Sequence, residues 1–531
     1  MAAKPRKRDN QKTSNDANSL RALTERGALL HRRGDLAEAE ALYRQALAHA
    51  PQHPDVLNLV GLLCAQRSDR VSALEFFERA LRATPDHIDA LINSGNVLRE
   101  LGRLDAAERA FLRVVKLAPQ HAVAWNNLGV TLKAADKLAE AEEALRCAVT
   151  LAPDYGEAHY NYANALRRLA RHDEALIACE RALELRADDA ECHFTLGLIR
   201  RARDELPAAV AAYSRAIALK PEHAAAHYYL ASALRLLGEL DAAIAAYRRA
   251  LELRPGYLDV YEGFGIACYK AGRLSDACDV YREWSQYEPT HPVPRHMLAA
   301  ISGEAVPTRA DDEYVARVFD AFAESFEADL ERLDYRAPLL VAEAITAECG
   351  AAAAQFDIID AGCGTGWCGP YLRPYARRLL GIDLSAGMVA KARAREVYDE
   401  LVVAELCTYL ADARGWDVIA SADTLNYFGE LAPVFAAAAV ALRPAGLFVF
   451  TLEARVPSGA PDLRAYALEP HGRYSHERSS VLESLGRAGF ELRSARDVAL
   501  RMEGGKPVNG YLLVARRRAH ERVSAAIGGA N

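Results

Sequence analysis

Small and aromatic residues recur along the first half of this chain at a fixed interval. Prolines stand at 51, 85, 119, 153, 221, 255 and 289, one register of 34 residues broken only by Ala187. On that register a small residue (Gly27, Gly61, Gly95, Gly129, Ala163, Gly197, Ala231, Gly265) is followed twelve positions later by an alanine (Ala39, Ala73, Ala107, Ala141, Ala175, Ala209, Ala243, Ala277). Four residues further on the chain usually places an aromatic, as at Tyr43, Phe77, Phe111, Tyr213, Tyr247 and Tyr281. The interval predicts one helix pair per unit, with small residues letting the two helices approach and the aromatic filling the groove between them. Eight units over residues 20–291 would stack into a solenoid with a continuous core and a long concave groove. Arg295 to Ile301 then predicts a helix that covers the last unit, and Ser302 to Asp311, SGEAVPTRAD, reads as a polar linker.

From Asp312 the register is lost and the apolar runs change period. Strand-like runs at Phe356–Asp360, Arg378–Asp383, Leu401–Leu406, Trp416–Ala422, Gly446–Leu452, Phe490–Leu500 and Gly510–Ala515 mostly alternate with helical segments. That order predicts a seven-stranded α/β sheet, largely parallel. The last two strands, joined around Gly504 to Pro507 without a helix, predict an antiparallel edge hairpin. Before the first strand, Tyr314, Phe319, Phe322 and Phe326 fall at helical spacing, which suits a packing face or a lid. The organisation expected is a disordered basic tail at 1–19, repeats at 20–291, cap and linker at 292–311, the α/β domain at 312–518 and a flexible tail at 519–531.

Composition narrows the function classes. The chain has 531 residues, 51% hydrophobic and 26% charged, and a net charge of −7, which gives no bulk attraction to nucleic acid or anionic membrane. Ten cysteines show no C-x-x-C pair and no Cys/His cluster at metal spacing, so no metal site is expected and a reducing compartment is. The N-terminus lacks the apolar core of a secretory signal, and the apolar run Val434–Leu442 is too short to span a membrane. These observations lead us to expect a cytoplasmic protein.

Cofactor chemistry concentrates in FDIIDAGCGTGWCGPYLRPYARRLLGIDLSAGM, Phe356 to Met388. A strand ends in Asp360, glycines follow at 362, 364 and 366, a helix begins near Cys368, and a second strand ends in Asp383. Glycines without Cβ atoms let backbone approach a ligand, a helix start offers free amides to an anion, and a carboxylate ending the second strand can take both hydroxyls of a ribose. Gly364-x-Gly366-x-x-Gly369 also satisfies the dinucleotide pattern, so NAD is an alternative on spacing.

The D-A-G-C-G-T-G motif behind that first acid resembles the class I S-adenosylmethionine (SAM)-dependent methyltransferases. The resemblance implies a Rossmann-like seven-stranded fold and SAM as cofactor. It implies that Asp360 and the loop Gly362, Cys363, Gly364, Thr365 and Gly366 hold the amino-acid end, that Asp383 with Leu384 binds the ribose, that Met388 packs on the adenosine, and that Glu405 and Leu406 meet the adenine. Residues after strand four face substrate in this fold, here Ser421 to Phe428. Asp423, Asn426, Tyr427, His471, Tyr474 and His476 are the polar candidates for substrate contact or base, with Asp423, Tyr427 and His476 foremost. The Asp/Asn-Pro-Pro-Tyr/Phe motif of many amino-methylating members is absent, which speaks against DNA as acceptor.

The repeats resemble the tetratricopeptide (TPR) family, whose opening signature Trp125-Asn-Asn-Leu-Gly129 nearly reproduces. That resemblance implies a protein or peptide partner in the concave groove. Asn93, Asn127 and Asn161 share one position on successive first helices, and an amide ladder can hold a peptide backbone. The whole resembles bacterial predicted methyltransferases that carry TPR repeats. A scaffold whose nucleoside-binding domain does not catalyse is the alternative. Acceptor and partner are not specified by the sequence.

Overall fold

The computed structural model describes residues 6–455 and 465–519, with backbone alone for 6–18. It divides into two compact units, Met1–Pro255 and Gly256–Asn531. The first holds seven helix pairs: α1 (Arg6–Arg33) with α2 (Leu36–His49), α3 (Pro54–Gln66) with α4 (Arg70–Ala83), α5 (Ile88–Glu100) with α6 (Leu104–Leu117), and α7 (Ala122–Ala134) with α8 (Leu138–Leu151). It continues with α9 (Gly156–Arg168) and α10 (His172–Leu185), α11 (Ala190–Ala202) and α12 (Leu206–Leu219), and α13 (Ala224–Leu237) and α14 (Leu240–Leu253). The tail expected at 1–19 lies outside the described residues at 1–5 and is helical from Arg6.

The periodic residues do what their spacing requires. A Cβ on Gly61 would stand 2.6 Å from the ring of Phe77, and one on Gly95 2.7 Å from that of Phe111, so glycine is what lets the paired helices touch. Tyr43, Phe77, Phe111 and Tyr213 are fully buried in those grooves. First helices also start alike: Nδ1 of His87, His121 and His223 accepts the amide of Ala90, Ala124 and Ala226 at 3.2 to 3.3 Å, satisfying a helix-start donor. First helices of successive repeats pack on one another, α3 on α5, α5 on α7, α7 on α9 and onward, whereas second helices have no comparable neighbour of their own kind. The first helices therefore form the inner, concave layer of this unit.

The second unit opens with an eighth pair, α15 (Leu258–Lys270) and α16 (Leu274–Tyr287), and the covering helix α17 (Pro292–Ser302). Then come α18 (Asp312–Phe322), α19 (Phe326–Arg332) and α20 (Ala337–Cys349), followed by the sheet domain. Its elements are β1 (Phe356–Ala361), α21 (Gly369–Leu372), β2 (Ala376–Asp383), α22 (Ala386–Ala394), β3 (Glu400–Val403), α23 (Leu406–Asp412), β4 (Trp416–Ser421), α24 (Ala432–Ala441) and β5 (Leu442–Ala454). The chain ends with β6 (Tyr466–Leu468), β7 (Tyr474–His476), α25 (Arg478–Arg487), β8 (Phe490–Glu503) and β9 (Lys506–Arg517). Strands β3-β2-β1-β4-β5 are parallel neighbours, β9 runs antiparallel to β5, and β8 pairs with β9, which are the seven strands expected. Two three-residue strands, β6 and β7, join them through β5.

Alternation along the strands makes two core layers. Ile358, Leu379, Val418 and Val449 pack beneath α20, and Ile359, Leu380, Ile419 and Phe448 face α23, α24 and α25. Connections leave β1 and β4 in opposite senses along the sheet, so a crevice opens at their carboxyl ends, the place where such sheets bind ligands.

The stretch expected as a linker is fastened to this unit. His296 on α17 is buried, stacks on Tyr314 with ring centroids 4.0 Å apart, and its Nε2 is 2.9 Å from the Gly472 carbonyl. Tyr474 donates its hydroxyl to the Pro307 carbonyl at 2.9 Å, Gly429 donates its amide to Thr308, and Ala310 donates to Tyr427. Among the described residues no helix is long and apolar enough to cross a membrane, and no cluster of His, Cys, Asp or Glu could hold a metal ion.

Candidate active site

A cavity opens at the carboxyl ends of β1, β2, β3 and β4, and each strand sends one loop to its wall. The loop after β1 contributes Gly362, Cys363, Gly364 and Thr365; β2 ends in Asp383 and Leu384; Glu405 and Leu406 follow β3; Ala422 to Thr424 follow β4. The glycine loop turns in the left-handed region, with φ of +80° at Gly362, +54° at Gly364 and +83° at Gly366. A side chain on Gly362 would strike Thr424, whereas one on Gly364 would meet only Phe326, at 3.9 Å. Gly364 thus turns a bare backbone surface into open space.

Asp383 fixes that surface. Its Oδ2 accepts the Gly364 amide at 2.8 Å and its Oδ1 accepts the Ser385 amide at 2.9 Å. Burial raises its pKa above the usual carboxylate value, against these amides, which lower it. Each carboxylate oxygen retains a lone pair for a ligand hydroxyl. Asp360 stands behind the loop, fully buried, with Oδ2 accepting the Tyr398 hydroxyl at 2.6 Å and Oδ1 without a partner. Burial drives its pKa up to about 7. Thr365 Oγ1 is likewise buried and unpartnered. Glu405 caps α23 by accepting the amides of Cys407 and Thr408 at 3.0 and 2.7 Å, and it takes Arg309 at 2.7 Å. Burial alone would raise its pKa, but the Thr408 and Cys407 donors and Arg309 outweigh that and hold it low.

The residues singled out in the sequence divide between wall and core. Gly362, Cys363, Gly364, Thr365, Asp383, Leu384, Glu405, Leu406, Asp423 and Tyr427 all line the cavity. Met388 is fully buried in α22, and Gly366 packs against Tyr398 and Arg395, so neither forms the wall. Asn426 is buried, bridging Asp423 and the Glu453 amide. His476 is also buried away from the cavity, its Nε2 2.8 Å from the Phe428 carbonyl, and burial lowers its pKa to about 4. Tyr474 is occupied with Pro307 and His471 with Glu453 at 3.5 Å. Of the aromatic stripe, Phe319 and Phe326 line the cavity, Tyr314 is buried against His296, and Phe322 is exposed.

Three parts of the wall were not anticipated. Leu330 and Leu333 extend the apolar side, and Tyr335 and Trp367 meet there with ring centroids 5.9 Å apart. Arg473, Arg501 and Glu503 form a polar side. Arg501, 5% exposed, pairs with Asp423 at 2.6 Å, with Glu503 at 2.7 Å and with Glu453; Arg473 pairs with Glu453 at 2.6 Å and Glu503 at 2.7 Å. A single signal in the sequence could have found Arg501, a lone charge inside the apolar run Val498–Met502. Asp423 itself has φ of +59°, a strained backbone for a residue with a side chain.

Comparisons with known proteins find matches for both parts of the chain. The family described as "Methyltransferase domain" matches residues 359–450. Families described as "Tetratricopeptide repeat" match 131–190, 194–258 and 234–301, and the middle TPR-like domain of cilia and flagella-associated protein 70 matches 33–150. A malonyl-[acyl-carrier protein] O-methyltransferase of Yersinia pestis is 25% identical over 145 residues, 27% of this chain and 52% of that protein. Human methyltransferase-like protein 27 is 35% identical over 91 residues, 17% of this chain and 36% of that protein. The chain thus spans about half or less of the length of these relatives. Among solved structures, Pseudomonas aeruginosa PilF is 19% identical, with 39% of this chain and 94% of that one covered and a TM-score of 0.37. The chain joins an array of tetratricopeptide repeats to a domain of the class I SAM-dependent methyltransferase family.

Proposed function

We propose that the α/β domain, residues 312–518, binds SAM and transfers its methyl group to a partner, or a small molecule, brought to it through the repeats. One observation carries the reading: the bare Gly364 surface and the Asp383 carboxylate that fixes it share one wall, beside the unpartnered Thr365 Oγ1. In this reading Asp383 takes the ribose hydroxyls, the loop amides from Gly362 to Gly366 take the amino-acid end, and Leu384, Glu405 and Leu406 enclose the adenine. SAM supplies a methyl group already activated on a sulfonium. The chain's task is then to align the acceptor and exclude water. Phe319, Phe326, Leu330 and Leu333 serve the second purpose. Tyr427, its phenol pushed up to about 12 by burial, stays protonated and acts as a donor that orients the acceptor. Asp423 is held by Arg501, Asn426 and Thr451 and presents a fixed acceptor rather than a free base.

Charge bears on the acceptor class. The name of the Yersinia relative specifies a malonyl acceptor. Here the two arginines of the polar wall face three carboxylates, Asp423, Glu453 and Glu503, and burial lowers His471 to about 4, leaving it neutral. The arginines are already compensated, so a neutral nucleophile fits this wall better than a carboxylate.

Calorimetry on the full chain tests the reading with SAM, S-adenosylhomocysteine and NAD. Binding of the first two and not NAD is expected. Asp383→Ala, which removes the ribose acceptor and releases the Gly364 amide, should weaken SAM by about 2 kcal/mol or more. Unchanged affinity in that variant would sink the site assignment.

A further inference from the structure

One repeat position carries a cation in five successive units: Arg99, Lys133, Arg167, Arg201 and Arg235 follow one another at 34-residue intervals. They occupy α5, α7, α9, α11 and α13, all first helices, four residues after the small residue that meets the second helix. Each is half-buried, and the Nε atoms of Arg99, Arg167 and Arg235 are buried with no hydrogen-bond partner. None of the five makes an ion pair among the described residues, although ion pairs are frequent elsewhere in this unit, as at Arg113–Asp86, Arg168–Asp136 and Arg215–Asp188.

The five form one continuous column. Lys133 feels Arg168, Arg167 and Arg99, and burial together with those like charges lowers its pKa to about 8. Tyr213 lies in the field of both Arg201 and Arg167, and Tyr247 in that of Arg235 and Arg201. Cations at helix C-termini offset the helix dipole, but the dipole acts on every helix. Of the second helices in the same span, α6 has Lys116 in its last turn, and α8, α10, α12 and α14 have no basic residue there. Their place on the first helices puts the charge on the concave layer, partly desolvated and met by neutral groups rather than carboxylates, Arg99 by Asn96 at 3.5 Å, Lys133 by Asn161 at 3.5 Å and Arg201 by the Tyr229 ring at 5.4 Å.

Half-buried cations in register without carboxylate partners suit an anionic ligand lying along them. Helices pack about 8–10 Å apart and an extended peptide advances about 3.3 Å per residue, so successive cations match an acid at about every third residue. Beside the column, half-buried Asn93 donates to Asn58 at 3.0 Å and keeps its own Oδ1 free to accept from a polypeptide backbone, whereas Asn161 is buried, donating to Asn126 at 3.0 Å and accepting from Lys133 at 3.5 Å. We propose that the groove of repeats three to seven binds an extended acidic peptide segment of a partner protein, its carboxylates spaced along Arg99, Lys133, Arg167, Arg201 and Arg235. This rests on the reading that the repeats capture a partner, and it names the chemistry of that partner.

The test is fluorescence anisotropy on the full chain with three labelled probes: a fifteen-residue peptide of Glu-Ala-Ser repeated five times, the same peptide with Gln for Glu, and fifteen-nucleotide oligothymidine. The Glu peptide should bind at least tenfold more tightly than the Gln peptide and should weaken at least tenfold between 50 and 300 mM salt. The double variant Lys133→Glu, Arg167→Glu should lose at least tenfold in affinity. The milder Lys133→Gln, Arg167→Gln should lose part of it while melting no lower than wild type, which separates binding from folding. Equal binding of Glu and Gln peptides would overturn the proposal and leave partner capture standing. Tighter binding of the oligonucleotide would overturn it in favour of a nucleic-acid groove. Binding of none of the three would remove both the proposal and the reading beneath it.

Discussion

Two buried groups set opposite pH responses in the α/β domain. Asp360 has its folded pKa raised from 3.8 to about 7, so the folded state binds a proton between those values that the unfolded chain does not, and stability falls as pH rises across that window. His476 is lowered from 6.5 to about 4, so the unfolded chain takes the extra proton, and stability falls as pH drops from 6.5 towards 4. Urea unfolding should therefore show Asp360→Asn gaining on wild type as pH rises from 4 to 7, and His476→Gln gaining as pH falls from 6.5 to 4. A pH-independent difference in either variant would contradict the burial that causes the shift. The same two residues show what a sequence makes legible. The motif D-A-G-C-G-T-G marks Asp360 and Gly364, and the end of the second strand marks Asp383, because backbone turning and carboxylate placement are local. His476 looked equally chemical, yet its burial depends on β7 packing beside β5, which no local pattern encodes. Arg501 was legible locally only as a lone charge in the apolar run Val498–Met502, and its remote carboxylate partners, Asp423 and Glu453, were not.

At the scale of the element, the 34-residue period foretold which residues meet. Gly95 faces Phe111, and the two were already linked in sequence by position. Gly95→Ala sets two effects against each other. Alanine favours a helix over glycine by about 1 kcal/mol, but a methyl group 2.7 Å from the buried Phe111 ring overpacks a site that costs about 1–3 kcal/mol to strain. Overpacking should win, and chemical denaturation should show a net loss on the order of 1 kcal/mol. An increase in stability would mean the helix pair relaxes freely. The asparagine ladder was legible as a row but not in its bonds, since Asn93 and Asn161 reach sideways to Asn58 and Asn126 on the preceding first helices. Strand boundaries were found to within a few residues, whereas α23 and the short strands β6 and β7 were not foreseen, because three to seven residues carry too little periodicity to register.

At the scale of the molecule, the compact unit beginning at Gly256 includes α15 to α17 as well as the sheet. The polar composition of Ser302–Asp311 suggested a linker, and its carbonyls and amides are taken up by Tyr474, Gly429 and Tyr427. A fragment of residues 256–519 is expected to unfold in one cooperative transition. A fragment of 308–519 gives up His296, with its stacking on Tyr314, and the Pro307 carbonyl, and should melt on the order of 5 °C lower. Equal melting temperatures would show that α17 contributes nothing to the sheet domain. The column of cations has a mechanical side as well. Like charges along the inner layer repel one another, which opposes tightening of the coil in the first unit. The screening length falls from about 30 Å at 0.01 M salt to about 3 Å at 1 M, which should let the coil tighten. Labels on the exposed Val71 and Leu236 should then draw closer as salt rises, and Lys133→Gln, Arg167→Gln should hold them near the high-salt distance throughout. An acidic ligand would do at physiological salt what concentrated salt does in the cuvette: wind the solenoid.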